Sequence, residues 1–142
     1  MTQHTLTAGP LTVTVSVRGN VLHAVEFPTD VPDQLDSAAL DELAEQLAGY
    51  ELWLEHGGLF TRSVWQRLRE IPRGSALTYR ELAVTLGKPL AVRAVGQACA
   101  RNRLLLAIPC HRVVAEDGLG GFALGLDWKR KLLELESEAL AA

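Results

Sequence analysis

The chain has 142 residues, of which 48% are hydrophobic, so it can build a packed core in one domain or in two small ones. Its longest purely apolar run, residues 104–109, is far shorter than the roughly 20 residues that span a bilayer, so we expect no membrane segment. Two cysteines are too few for a disulfide framework and residues 1–10 lack the apolar core of a secretory signal, which together favour a reducing cytoplasm.

The net charge of -3 conceals a strong asymmetry along the chain. Residues 1–58 carry a net charge of -8, residues 59–112 carry +8, and residues 113–142 carry -3. The middle segment could neutralise several phosphates of a nucleic acid, or it could form an ordinary solvated face paired with the acidic segment. DNA is therefore a candidate partner.

The first predicted element is a β-hairpin. Residues 11–17 alternate apolar and polar side chains, residues 18–20 supply turn chemistry, and residues 21–27 form a second strand-like run. Strands therefore open the chain.

A helix is predicted after the hairpin. From Asp36 onward, apolar side chains recur at helical spacing as far as Leu54, which favours an amphipathic helix lying on the small sheet. Residues 55–59 then break the pattern where the charge changes sign. We predict a small α/β N-terminal domain of residues 1–57, in which nothing clusters as a catalytic or metal site.

The second half is predicted to be mostly helical. A helix containing Trp65 ends before Pro72, and Thr78 with Glu81 three residues later forms a capping box for the next helix. Residues 91–101, rich in small side chains, form another helix after a short turn. Such a helix pair binds DNA in many proteins, but it is also common in proteins that bind no nucleic acid.

The residue pair that carries chemistry is Cys110 and His111, just after the apolar run and Pro109. A thiol reacts as the thiolate, and we expect the neighbouring imidazole to lower its pKa. The alternative is an inert core cysteine, since free cysteine is among the most buried residue types.

Several separated motifs from about residue 60 to 137 resemble the catalytic domain of the O6-alkylguanine-DNA alkyltransferases, the methylated-DNA-protein-cysteine methyltransferase family. These motifs are Phe60–Trp65, Thr78–Ala83, Val92–Gly96, Asn102, Pro109–Val113 and Lys129–Glu136. The resemblance implies an α+β fold, with the N-terminal domain followed by a winged-helix-like, helix-turn-helix catalytic domain of residues 58–142.

The resemblance also implies direct-reversal DNA repair. The alkyl group of O6-alkylguanine, with O4-alkylthymine as a second candidate substrate, would move irreversibly to Cys110 in one turnover per protein, without cofactor or metal. His111 would act as general base through a water, Glu136 would orient its ring, and Tyr79 would donate a proton to the leaving guanine. Without the resemblance, Glu136 could be a surface carboxylate and Tyr79 a structural tyrosine.

DNA contacts are implied for the small-residue helix, which the family lays in the minor groove of double-stranded DNA. Arg93 would replace the flipped nucleotide in the stack, or it could be an ordinary phosphate contact. Ala94, Gly96 and Gln97 would face the groove beside it.

Supporting roles are expected for Asn102, Pro109 and Arg112 around the thiol. The chain has Arg103 where the family usually has proline, so this turn is either less rigid or gains a phosphate contact. Residues 122–125 also depart from the family pattern, which leaves the preferred alkyl group open.

Two other functions remain candidates. A non-catalytic module that recognises alkylated DNA and recruits repair factors would be one, although such relatives lack the acceptor cysteine; a Cys-His hydrolase would be the other. Cys99, on the apolar side of its helix, is expected to be inert packing, the histidines show no zinc-type spacing, and we expect a monomer.

Overall fold

The structure, a computed structural model, describes residues 1–141, with side chains through residue 138. Its N-terminal part is a four-stranded sheet in the order β1-β2-β3-β4. The strands are β1 (Thr2–Ala8), β2 (Leu11–Arg18), β3 (Val21–Glu26) and β4 (Glu51–Leu52). The first three run antiparallel, and β4 is parallel to β3.

The predicted hairpin is confirmed as β2 and β3, but β1 was missed by the sequence analysis. Six of its seven residues lie outside the core, so its sequence lacks a strong strand pattern, and pairing with β2 holds it in the sheet. Ser16 pairs with Ala24 while Val17 pairs with Leu22, so His23 is the extra residue of a β-bulge.

The predicted helix is confirmed as α1 (Ser37–Ala48), although its predicted end is wrong. Asp36 caps it by accepting a hydrogen bond from the backbone N of Ala39 at 2.9 Å. The chain leaves the helix at Gly49 rather than after Leu54 because β3 offers a better partner, with the backbone N of Trp53 donating to Leu22 O at 2.9 Å. The apolar residues of 50–54 match helical spacing by coincidence, since this segment contains strand β4.

The second half contains four helices among the described residues, joined by short strands. They are α2 (Leu59–Leu68), α3 (Tyr79–Thr85), α4 (Val92–Ala100) and α5 (Leu126–Ala141), with β5 (Leu77–Thr78) pairing in parallel with β6 (Val113–Val114). The capping box of α3 is confirmed, since Glu81 N donates to Thr78 Oγ1 at 3.0 Å and Thr78 N donates to Glu81 Oε1 at 2.9 Å. The α+β fold class is thus confirmed.

Buried side chains of both halves form one apolar cluster. On the C-terminal side, Trp128 is 1% exposed, donates from Nε1 to Pro28 O at 2.9 Å and meets the ring of Phe27 edge-on at 5.1 Å. The domain division at residues 57 and 58 remains a prediction, and the last residue of the second predicted domain, Ala142, lies outside the described residues.

The described residues contain neither a membrane-spanning helix nor a cluster of metal ligands. No helix in this part of the chain is both long and apolar enough to cross a membrane. Within the same residues, no three His, Cys, Asp or Glu side chains group so that they could hold a metal ion.

Candidate active site

Cys110 begins a short 3-10 turn, Cys110–Arg112, and is 6% exposed. Asn102 holds this turn, because its Nδ2 donates both to Ile108 O at 2.8 Å and to Cys110 Sγ at 3.2 Å, while its Oδ1 accepts from Leu104 N at 2.8 Å. The amide expected to support the turn is therefore also in direct contact with the sulfur.

The environment of the Cys110 thiol opposes its ionisation. Burial raises its pKa, and the Asn102 hydrogen bond and the positive charge of Lys129 only partly offset this. The expectation that His111 lowers the pKa of this thiol is wrong, because the imidazole is directed at Glu136 instead. The thiol is therefore neutral in the free protein, and a reaction must remove its proton when substrate is present.

His111, Glu136 and Arg112 form a buried network behind the thiol. The Nε2 atom of His111 lies 2.9 Å from Glu136 Oε1, and these side chains are 1% and 4% exposed. Arg112 donates from Nε to Oε1 at 3.0 Å, from Nη2 to Oε2 at 2.5 Å, and from Nη1 to Ile71 O at 2.9 Å. Glu136 is consequently not a surface carboxylate, and a neutral His111 that donates from Nε2 keeps Nδ1 free to accept a proton.

The charge state of Glu136 follows from this network. Burial by itself raises the pKa of its carboxyl group, but hydrogen bonds from His111 and Arg112 and their charges lower it to about 2. The carboxylate is therefore ionised at neutral pH and accepts hydrogen bonds from both neighbours.

A cavity of about 470 Å³ opens beside the thiol. Its lining combines the thiol with a phenol, an aromatic ring and small residues: Tyr79, Gly96, Cys99, Ala100, Cys110, Gly121, Phe122 and Ala123. Cys99 was expected to be inert packing, yet it shares this wall with Cys110. Burial raises the pKa of Cys99 to about 12, so Cys99 is a protonated thiol there.

Tyr79 lines this cavity and is held there by the loop that precedes α5. Its hydroxyl donates to Gly121 O at 3.5 Å, and burial raises its pKa, so the phenol keeps its proton at neutral pH. Gly120 makes this approach feasible, because it has φ +74° and a Cβ there would lie 2.9 Å from the Tyr79 ring.

Lys129 is a buried cation that the sequence analysis named only as part of a motif. Its Nζ donates to Val113 O at 2.6 Å and to Gly121 O at 3.0 Å, and it lies 5.8 Å from the centre of the Tyr79 ring. A signal was available, since Lys129 precedes Glu136 by seven residues and so lies on the same face of α5. This ammonium group fixes the loop beneath Tyr79 and adds positive charge near the thiol.

The residues predicted to contact DNA lie along α4. Arg93 and Gln97 are exposed, while Ala94 and Gly96 are partly exposed. A Cβ built at Gly96 meets no protein atom within 4 Å, so internal packing does not require glycine at this position. Because Gly96 also lines the cavity, α4 joins an open surface to the thiol site.

The fold and this site define an α+β protein with a buried, hydrogen-bonded thiol beside a helix-turn-helix. The family described as "6-O-methylguanine DNA methyltransferase, DNA binding domain" matches residues 59–138. The chain belongs to this family.

Individual relatives agree with this membership. A methylated-DNA--protein-cysteine methyltransferase of Methanosarcina barkeri is 50% identical over 97 residues, which cover 67% of this chain and 61% of that protein. The match thus spans less than two thirds of that relative. The crystal structure of Mycobacterium tuberculosis OGT in complex with DNA is 34% identical, with a TM-score of 0.76 over 94% of this chain and 91% of that chain.

A shorter similarity links the chain to Atl1 of S. pombe, whose crystal structure is a complex with damaged DNA containing O6-carboxymethylguanine. That match is 32% identical and has a TM-score of 0.50, covering 54% of this chain and 74% of that chain.

Proposed function

We propose that the protein repairs double-stranded DNA by moving the alkyl group of O6-alkylguanine to Cys110, with O4-alkylthymine as a second candidate substrate. The observation that carries this proposal is the thiol in the cavity beside α4, hydrogen-bonded to Asn102 at 3.2 Å. Family membership supports the same chemistry.

Base flipping is the first step of the proposed reaction. A thiol that is only 6% exposed cannot reach a base within a duplex, so the damaged nucleotide must leave the stack and enter the cavity. We propose that α4 lies in the minor groove, with Ala94, Gly96 and Gln97 facing the groove and Arg93 filling the gap in the stack. The exposed position of Arg93 is consistent with that role.

Proton transfer then activates the sulfur. His111, acting through a water, takes the proton of the Cys110 thiol, and Glu136 stabilises the imidazolium that forms. The sulfur attacks the alkyl carbon, a new S–C bond forms, and the C–O6 bond of the base breaks. The guanine anion finally receives a proton from Tyr79 or from water, and the proton held by His111 replaces it, so that the overall products are a thioether and unmodified guanine.

Tyr79 is proposed to stabilise the leaving guanine by donating its phenol proton or a hydrogen bond. Because the pKa of Tyr79 is raised, its proton is available at neutral pH. Lys129 is proposed as a positioning residue, since it binds the Gly121 carbonyl that also accepts from Tyr79.

The product determines the kinetics. A thioether at Cys110 has no acyl carbon that water can attack, unlike the acyl-enzyme of a Cys-His hydrolase. The reaction should therefore stop after one turnover, with one alkyl group per protein molecule.

The reacting groups all come from a single chain, and both cysteines are free thiols, so we propose a monomer that acts in a reducing cytoplasm.

The second candidate function is recognition of damaged DNA without alkyl transfer. The similarity to Atl1, whose structure is a complex with damaged DNA, supports this candidate. A module of that kind needs the flipping helix and the cavity but has no use for an acceptor thiol. The presence of Cys110 with the complete Asn102 and His111 network favours transfer.

A pair of matched variants tests the proposal. Duplex DNA with a single O6-methylguanine is incubated with excess protein, and the methylated base that remains is quantified. Cys110→Ala should remove all transfer and retain DNA binding, whereas Cys99→Ala, the same change on the same cavity wall, should leave transfer largely intact. Transfer by Cys110→Ala would contradict the proposal, and tight lesion binding without transfer by the unmodified protein would favour the recognition module.

A further inference from the structure

A second cavity, of about 490 Å³, lies beside β2 and β3 and shares no lining residue with the thiol cavity. It is lined by Met1, Ser16, Arg18, His23, Ala24, Trp53 and Arg103. The segment after α4 contributes Arg103 to this lining and is bound to β3, because the backbone N of Val25 donates to Arg103 O at 2.9 Å. Arg103 stands at the position where the family usually has proline.

The charge of this cavity is positive. Arg18 and Arg103 are both exposed, and among the described residues neither forms an ion pair with a carboxylate. Arg62, Arg69, Arg93 and Arg101 likewise form no ion pair among the described residues, so what distinguishes Arg18 and Arg103 is that both line one cavity. Two free guanidinium groups at one cavity are suited to a phosphate, which they bind through paired, charge-assisted hydrogen bonds.

The wall of the cavity is the end of a ladder of aromatic rings. His23 stacks on Trp53 with ring centres 4.5 Å apart, Trp53 stacks on His56 at 4.8 Å, and His56 lies 4.5 Å from Trp65. His56 thus lies between two indole rings, and stacking on both holds this ring in place. Trp53 is covered on both faces, and the ladder therefore ends at His23.

The β-bulge accounts for the position of the His23 side chain on the cavity wall. An extra residue in a strand changes the direction of its side chain, and bulges are common next to functional sites. The imidazole packs against Trp53 on one face, and its other face has no aromatic neighbour among the described residues. A planar base could add one more ring to the stack.

We propose that this cavity binds a nucleoside phosphate, with the phosphate on Arg18 and Arg103 and the base stacked on His23. Positive charge combined with an aromatic ring on which a base can stack is the pattern by which proteins bind single-stranded nucleic acids, and a single nucleotide carries the same two groups. The thiol cavity, by contrast, offers no arginine on its wall. The second site is thus independent of the alkyl transfer.

The test uses the full chain and three probes: 5′-AMP, ribose 5-phosphate and a short single-stranded oligodeoxynucleotide. Isothermal titration should give saturable binding of 5′-AMP. Loss of one phosphate contact should weaken that binding about tenfold in Arg18→Gln and again in Arg103→Gln. Arg67→Gln, the same change at a half-buried arginine outside the cavity, should have no effect.

His23→Ala separates the base from the phosphate. It should weaken binding of 5′-AMP but not of ribose 5-phosphate, because only the former carries a base to stack. If the oligodeoxynucleotide displaces 5′-AMP and binds more tightly, the ligand is a nucleic-acid strand; if it does not displace it, the ligand is a free nucleotide, and either result supports the site.

Two results would overturn this inference: no saturable binding of 5′-AMP at millimolar concentration, or equal binding by the doubly substituted Arg18→Gln, Arg103→Gln protein. Methyl transfer from duplex O6-methylguanine is measured in parallel. Arg18→Gln should leave it unchanged, so a failure of the nucleotide site is distinguishable from a failure of the alkyltransferase.

Discussion

Burial acts against the charged forms of Cys110, Tyr79, Lys129 and Glu136 at the thiol site. Burial raises the pKa values of Cys110 and Tyr79 and lowers that of Lys129, while hydrogen bonds and charge outweigh burial at Glu136. The sequence predicted which groups meet, since motifs specify residue types and order. It could not predict the direction of the thiol pKa, because that depends on burial and on where the imidazole is directed.

Asn102→Asp tests the contact between amide and sulfur. The substitution keeps the shape but replaces a donor to Sγ with a second negative charge, so the pKa of Cys110 should rise further. We expect methyl transfer at neutral pH to fall at least about tenfold, which corresponds to one pKa unit, and the rate to recover as the pH is raised. The measurement is the rate of methyl transfer as a function of pH.

The matched control for that experiment is Asn20→Asp, since the exposed Asn20 donates to Gly49 O at 3.2 Å, far along the chain from the thiol. Its rate profile should follow that of the unmodified protein. An Asn102→Asp profile with no shift towards higher pH would show that the amide does not influence the sulfur.

Glu136 should make stability depend on pH in the acid range. Its pKa is about 2 in the folded protein against an ordinary value of 4.5, so its contribution is complete above pH 4.5 and is lost as the pH falls towards 2. The difference corresponds to about 3 kcal/mol. Glu136→Gln should lower the free energy of unfolding by about this amount at pH 7 and by progressively less below pH 4.5.

Urea unfolding between pH 7 and pH 3 measures this effect. Glu134→Gln, on the exposed side of the same helix, is the control and should change stability little at any pH. Parallel pH curves for Glu136→Gln and the unmodified protein would contradict the assignment.

At the scale of elements, local sequence signals predicted helix starts better than they predicted helix ends or strands. The capping box predicted the start of α3 correctly because both of its hydrogen bonds are local. The end of α1 depends on the pairing of β4 with β3, a strand distant in sequence, which no local pattern records. β1 pairs with the adjacent strand β2, but its mostly exposed residues lack the alternation of apolar and polar side chains that predicts a strand. The contact of Lys129 with the Gly121 carbonyl could not be predicted from the sequence, because it depends on the fold. The sequence shows only that Lys129 and Glu136 lie seven residues apart on one helix face.

Gly96→Ala is a prediction about α4 as an element. Alanine should stabilise the helix by up to about 1 kcal/mol, since the added methyl group meets open space. The same methyl group would project at the cavity and the proposed groove, so methyl transfer should fall at least about tenfold, the equivalent of 1.4 kcal/mol. Thermal unfolding and transfer rates on the same samples measure both effects.

The opposite directions of these two effects make the experiment informative. If Gly96→Ala is more stable and transfers methyl groups as fast as the unmodified protein, α4 does not approach the substrate closely. If it is less stable, the open space at this position is not accessible to a side chain.

The whole molecule separates its charges along the chain. An acidic first part of net charge -8 and a basic middle part of +8 give a protein of net charge -3 that can still present a cationic surface. The overall charge is therefore a poor guide to its partner, and the segment charges are a better one.

This distribution predicts strongly salt-dependent binding to undamaged duplex DNA. If the basic segment neutralises about three phosphates, affinity should fall about fortyfold between 50 and 200 mM salt. Fluorescence anisotropy with Cys110→Ala, which cannot react, measures binding alone. Arg93→Ala should reduce the slope, while Arg130→Ala outside the basic segment should not, and salt-independent binding would exclude the proposed DNA surface.

The central claim is that Cys110 accepts the alkyl group. Its most direct test is intact-protein mass spectrometry with peptide mapping after incubation with duplex DNA that carries O6-methylguanine. We predict a mass increase of one methylene on the peptide that contains Cys110, with a plateau of one methyl group per protein. An unmodified Cys110 peptide, or the adduct on Cys99, would contradict the account.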